Sequence, residues 1–348
     1  MLLEPKGETS ASVSIGDVDG DGHLDIVLAK GRHWPLTNLL FRGDGKGQFK
    51  PESIGTAPDR TYSAALADLN GDGSLDLVVS NDRPDPKLVY LNDGKGHFRA
   101  AGSFGRPEWS TRYITLADVN GDRRPDILVA NRSGGGKAGK PSFICLNDGK
   151  GSFLECNPLA TESATIIVAM DLDGDGFVDL LVPHRDGGQN LIFWNDGSGT
   201  FAAKPSPVGP EHSNIRAAAA ADLDGDGKPD IVVGDEQRGL FLYRNTGNRT
   251  FAAPVALGTK KNSPYSIAIA DMNRDRKPDI VVGYQEAAGS VFFSDGKANA
   301  FHEISWNDGK GAVYGVAVGD LDGDGWPDIA AARSDAPNGI WFSGPLRK

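Results

Sequence analysis

The sequence predicts an all-β fold, a seven-bladed β-propeller of four-stranded antiparallel blades, and three observations carry that prediction. An acidic pattern, Asp-x-Asp/Asn-x-Asp-x-x-x-Asp followed by an apolar run, recurs seven times, beginning at Asp17, Asp68, Asp118, Asp171, Asp222, Asp271 and Asp320. The intervals between copies are 49 to 53 residues. A second pattern, as in LNDGKGHF and WNDGSGTF, follows each of the first six copies by about twenty residues, and no segment shows helical periodicity. Several short strands repeated at such a period build blades around an axis.

Each element of a blade follows from its residues. In the second copy YSAALAD reads as a first strand, LNGDGSLD as an acidic turn and LVVSN as a second strand. LVYLN is the third strand, and DGKG turns into a fourth that begins HFRAAG. Gly supplies the positive φ that so tight a turn needs. The last copy ends after its third strand, NGIWFSG, whereas the chain begins with a spare segment, MLLEPKG. The N-terminus is therefore expected to supply the outer strand of the last blade. That closes residues 1–348 into one propeller domain, expected as a monomer, with only short edges exposed.

Composition narrows the function classes. The 348 residues are 39% hydrophobic and 24% charged, with no apolar run long enough to span a membrane. The first ten residues lack a secretion-signal layout. Dinucleotide, P-loop and serine-nucleophile signatures are absent, and no basic run suggests nucleic acid. The two cysteines, Cys145 and Cys156, lie across a predicted hairpin, either as a cross-strand disulfide or as two small half-buried side chains. The formal charge of −11 is unevenly placed, since the seven acidic turns hold 25 carboxylates and leave 22 acids against 36 Lys and Arg elsewhere. Seven bound divalent cations would bring the whole chain to +3. An anionic partner away from the acidic turns is then electrostatically favoured.

The acidic turns have the donor set of a calcium site. Asp17, Asp19, Asp21 and Asp25 alternate carboxylates around a Gly bend, with a backbone carbonyl expected at His23. Hard oxygen donors in a flexible turn suit Ca²⁺ better than Mg²⁺ or zinc. The twelfth position is Leu28, not Glu, so this is no EF-hand. The second and third copies offer Asp68, Asn70, Asp72 and Asp76, then Asp118, Asn120, Asp122 and Asp126. The fourth and fifth offer Asp171, Asp173, Asp175 and Asp179, then Asp222, Asp224, Asp226 and Asp230. The last two offer Asp271, Asn273, Asp275 and Asp279, then Asp320, Asp322, Asp324 and Asp328. Arg123 replaces a bend glycine in blade three, and Arg274 and Arg276 replace both in blade six, beside Lys277. Up to seven ions are expected, held weakest in blade six and then blade three, because cations repel Ca²⁺ and positive φ disfavours Arg. Their repetition suits a structural rather than a catalytic role.

The whole chain resembles the FG-GAP/VCBS repeat family and is similar to the propellers of integrin α subunits and of secreted bacterial and fungal proteins. The resemblance implies the propeller fold, calcium turns and a secreted or periplasmic location. It leaves function open, because the family spans lectins, polysaccharide lyases, dehydratases and adhesion modules.

Strand alternation sorts the connections. The acidic turns and the DGKG turns share one face; the connections between strands two and three, and those between blades, share the other. The first face repeats and the second varies, which points to an asymmetric site on the second. After the second strands the copies read Lys30, Asn81, Asn131, His184, Asp235, Tyr284 and Arg333; before the acidic turns they read Ala11, Tyr62, Arg112, Thr165, Arg216, Tyr265 and Tyr314. Candidate substrate-binding residues are Trp34, Arg60, Arg83, Trp109, Arg112, Arg132, Arg185, Arg216, Tyr284, Tyr314 and Arg333. Arginine forks pair with uronate or sulfate groups and aromatic faces stack on sugar rings. An anionic carbohydrate is the expected partner. If the site cleaves it by β-elimination, His184, His33 or His212 would serve as base and Tyr62, Tyr113 or Tyr265 as acid. The alternatives are a non-catalytic lectin-like propeller and a protein-recognition module.

Overall fold

The protein, described by a computed structural model over residues 1–133, 141–201, 204–258 and 262–344, consists of seven antiparallel blades in which strand order follows chain order. Blade two runs Thr61–Ala67, Asp76–Asn81, Lys87–Asn92 and Phe98–Phe104, close to the boundaries its sequence predicts. The second strands are rich in Val, Ile and Leu, residues that suit a pleated buried surface. Those of blades one, two and three, Asp25–Lys30, Asp76–Asn81 and Asp126–Asn131, are buried at every position. The fourth strands face solvent.

The core lies between blades. Val27 and Leu40 of blade one pack with Ala64 and Leu77 of blade two, and equivalent clusters fill every joint, including Ile26 of blade one against Ala330 of blade seven. Burial of these side chains at about 25 cal/mol per Å² is the main force holding neighbours together.

Two polar devices recur. The last aspartate of each acidic turn is buried and ties the turn to the third strand: Asp76 accepts N–H bonds from Leu69 (3.0 Å) and Asn92 (2.8 Å). Asp25, Asp126, Asp179, Asp230, Asp279 and Asp328 do the same in their blades. The residue closing the third strand then latches onto the preceding blade. Asn92 donates to Val18 O at 2.7 Å, Asn147 to Leu69 O at 2.9 Å, Asn195 to Val119 O at 2.8 Å and Asn245 to Leu172 O at 2.7 Å. In blades six, seven and one this position is Ser294, Ser343 and Gly43, whose side chains make no such bond.

Ring closure follows the expectation in a shortened form. Leu2 bridges Gly339 of the third strand of blade seven (Gly339–Trp341), and Met1 and Ile340 exchange backbone bonds of 2.6 and 2.8 Å. Pairing with the third strand covers the first three residues, and Glu8 adds one bridge to Ala336 in the connection before that strand. The chain then turns so that Glu4 and Glu8 meet the buried Lys30 ammonium. In blade three the outer strands Phe143–Cys145 and Cys156–Pro158 place the two cysteines directly opposite, joined as a disulfide.

Candidate functional site

The acidic turns form a rim of near-identical loops on one face. In blade one the Asp17 carboxylate accepts N–H bonds from Gly20 (2.7 Å) and Gly22 (2.9 Å), both at positive φ. That wrap draws carboxylate oxygens of Asp17, Asp19 and Asp25 within 4.8 Å of one another. Asp171, Asp173 and Asp179 cluster likewise, as do Asp222, Asp224 and Asp226, and Asp320, Asp322 and Asp324. Burial, reinforced by the neighbouring carboxylates, raises Asp25, Asp179, Asp230 and Asp328 to about 6. A divalent cation would offset that cost, so donor type, spacing and electrostatics all fit a calcium ion.

The other turns are poorer in charge. Asn70 and Asn120 turn their amides onto Asp72 (2.9 Å) and Asp122 (3.2 Å). Arg123, Arg274 and Arg276 adopt φ of 66°, 61° and 66°, the same left-handed bend that glycine makes elsewhere. The shape of the turn therefore survives the substitutions, at a cost of about 1–2 kcal/mol per residue.

On the opposite face the first strands converge on an axial pocket of about 180 Å³. Arg112 and Arg132 of blade three, Arg185 of blade four and Arg216 of blade five form one arc of its wall. Tyr265, Tyr314 and Tyr62, from blades six, seven and two, form the other, where Arg32 and His33 of blade one also lie. Tyr113 lines the pocket floor among the first-strand residues.

Carboxylates just behind the wall brace most of these arginines. Asp186 binds Arg132 at 2.6 Å, and Glu236 binds Arg216 at 2.7 Å and Arg185 at 3.2 Å. Asp82 lies 3.0 Å from Arg112, close enough for an ion pair but misaligned for a hydrogen bond. Burial opposes ionisation of Asp186, yet Arg132 and Ser163 prevail and hold it near 2. Arg185 is pushed down to about 10 by burial and by the charges of Arg216 and Arg132. The arginines therefore repel one another across the pocket.

His33 and Tyr62 form a polar pair at the mouth. The Tyr62 hydroxyl lies 2.8 Å from His33 Nε2, while His33 Nδ1 lies 3.5 Å from Asp82. Burial and the charges of Arg112 and Arg32 lower the His33 pKa, and burial raises that of Tyr62. A neutral imidazole beside an intact phenol is the resulting state.

The remaining candidates lie elsewhere. Trp109 is buried and stacks on Phe143 at 4.0 Å, and Tyr284 belongs to the core between blades five and six. Arg333 is fully buried, bound to Asp308 (2.7 Å) and Pro337 O (2.6 Å). His184 packs its ring over Gly188, and His212, near the end of the outer strand Ser206–Ser213, has Nδ1 2.9 Å from Gly187 O. Arg60 pairs with Asp85, while Trp34 and Arg83 are exposed. In blades two and three the residue closing the second strand is a corner pin: Asn81 donates to Pro86 O, and Asn131 to Pro141 O. The pocket instead draws on the residues that follow, Arg32, Arg132 and Arg185, with Asp82, Asp186 and Glu236 behind them; of these, Asp186 alone lies outside the connection residues that the sequence brings to this mouth.

Comparison with known proteins agrees with this architecture. Segments matching the FG-GAP-like repeat cover residues 17–79, 75–129, 118–182, 171–233, 222–282 and 272–331. Mouse (Mus musculus) cartilage acidic protein 1 is 30% identical over 191 residues, half of this chain and 28% of that protein. Human (Homo sapiens) integrin alpha-7 is 31% identical over 173 residues, 41% of this chain and 14% of that protein. The chain thus spans less than a third of the length of either relative. Among solved structures, the BP39L lectin of Burkholderia pseudomallei superposes with a TM-score of 0.68 at 16% identity, covering 96% of this chain and 95% of that one. A lectin of Agrocybe aegerita that recognises non-reducing terminal N-acetylglucosamine gives 0.61 at 21% identity, covering 86% and 80%. Those likenesses are of fold. Six matched segments that together run from residue 17 to residue 331 place this chain in the FG-GAP-like repeat family.

Proposed function

We propose that the protein is a secreted or periplasmic propeller, stabilised by calcium at its acidic rim, that binds an acidic carbohydrate in the axial pocket on the opposite face. One observation carries this reading: five arginines and four tyrosines line a single pocket whose braces supply only three carboxylates. Guanidinium forks match carboxylate or sulfate, and tyrosine faces match the apolar face of a sugar ring. The lectin neighbours make a carbohydrate ligand a reasonable first choice, and the disulfide suits an oxidising compartment. The calcium ions would be held by the aspartates of the rim and would serve stability alone.

The test is retention on uronate or sulfated polysaccharide against neutral polysaccharide of similar size. We expect selective retention that weakens with salt. Equal retention of neutral chains, or none of either, would overturn the reading.

A second reading, cleavage by β-elimination, is favoured by the His33–Tyr62 pair beside arginines that could hold the carboxylate next to the acidic proton. Incubation with uronate polymers would then produce an unsaturated product visible in the ultraviolet. Binding without such absorbance leaves the lectin-like reading in place.

A further inference from the structure

The axial pocket is built on two unlike arcs, and the charge balance between them is incomplete. Four of its five arginines stand within 3.2 Å of a carboxylate. Arg32 does not. Its guanidinium lies over the Tyr314 ring at 3.7 Å and near the Tyr62 ring at 5.7 Å, and it makes no ion pair among the described residues. Its Nε is buried without a hydrogen-bond partner, as is Nε of Arg216 across the pocket. The backbone of Arg32 sits at φ 50°, a left-handed conformation costly for a side chain of this size. It is held there by its own N–H bond to Thr61 O of the next blade (3.0 Å). That backbone bond fixes where the Arg32 side chain enters the pocket.

Two further features limit the guest. Five guanidiniums against three carboxylates leave two positive charges in excess beside a neutral imidazole, and that excess is concentrated on the axis, where the ring has one copy of the site and not seven. The pocket volume of about 180 Å³ falls below the ~300–1,000 Å³ that accommodates larger ligands. A polymer chain crossing the face could place only one unit inside it.

Building on the acidic-carbohydrate reading, we infer that the axial pocket binds a single small ring bearing one carboxylate, end-on and once per protein, with Arg32 and Arg216 receiving the carboxylate and Tyr62, Tyr265 and Tyr314 covering the ring. Such a ring can come from the terminal unit of an acidic glycan or from a free aromatic acid. The arrangement selects an end group, because an internal unit would force both flanking units through the wall.

Titration calorimetry with glucuronate, glucuronamide, benzoate and a long uronate polymer tests this. Expected are one equivalent of glucuronate bound per protein, full competition between glucuronate and the polymer, and at least about tenfold weaker binding of the uncharged amide. Arg32→Gln should weaken glucuronate by about tenfold, while Arg106→Gln, at an exposed site away from the pocket, should leave it unchanged. The amide comparison needs no variant, so the inference stays testable should Arg32→Gln fold poorly. Several equivalents per protein, equal binding of acid and amide, or polymer binding that glucuronate cannot displace would overturn the end-group inference; the last result would leave the acidic-carbohydrate reading standing. Benzoate binding with no sugar bound would do the reverse.

Discussion

The two faces of the ring were built from the same repeat and have diverged in opposite senses. On the rim every copy keeps a buried aspartate clamp on two backbone N–H groups, and even the arginine-bearing turns hold the glycine conformation. At the axial mouth the equivalent first-strand positions carry alanine, tyrosine, arginine and threonine, and of the adjacent blades just six and seven, with Tyr265 and Tyr314, present the same group. What is repeated serves stability, because any copy that failed would open a joint. What differs can serve recognition, because a guest on the axis meets all seven blades at once.

The contrast can be broken from either side. Chelation should have the largest effect: each site saturated at a hundredfold excess over its Kd contributes about 2.7 kcal/mol, so EDTA should lower the calorimetric midpoint by on the order of 10 °C. An unchanged midpoint would remove calcium from the rim. Next, Asp126→Ala leaves two buried donors, Val119 N and Asn147 N, without an acceptor, and should cost about 3 kcal/mol in denaturant titration. Ligand affinity of the folded fraction should be unaffected. Arg216→Ala is the converse, with about tenfold loss of acidic-ligand affinity and a midpoint within a few degrees of the parent.

The smallest effect is one of pH. Asp186 titrates near 2 in the folded protein, below the ~3.9 of an unfolded aspartate. Its ion pair with Arg132 therefore contributes fully above about pH 4, and that contribution fades as pH falls from 4 toward 2. With its side chain 21% exposed, about 1 kcal/mol is expected, read as a shallower acid limb in Asp186→Asn.

The fold was legible in the sequence because its signal was repeated. Spacing, turn chemistry and strand polarity each recur from blade to blade, and the boundaries in blade two fall where the residues place them. The axial site was legible by half. Parity alone brought Tyr62, Arg112, Arg216, Tyr265 and Tyr314 to one mouth, because first-strand positions keep a constant phase. The connections after the second strands have no constant phase, so Tyr284 and Arg333 became buried while Arg185 and Arg132, one residue further along their blades, reached the pocket. Trp109 offered a similar trap: an aromatic in a connection can serve the core as readily as a ligand.

The shortened closure at the N-terminus bears on how the ring assembles in time. Met1 and Ile340 are 339 residues apart in the chain, so the contact that shuts the ring carries the largest loop-closure entropy in the molecule, about 5 kcal/mol on a logarithmic chain estimate. Three residues and one further bridge, Glu8 to Ala336, pair there, and the joints around that seam are the ones whose third strands end in Ser294, Ser343 and Gly43 instead of asparagine. Kinetically the clasp is a late event and thermally an early one to release. Hydrogen exchange should find amides of blades seven and one opening before those of blades three and four, so the ring would come apart as an arc unrolling from its seam.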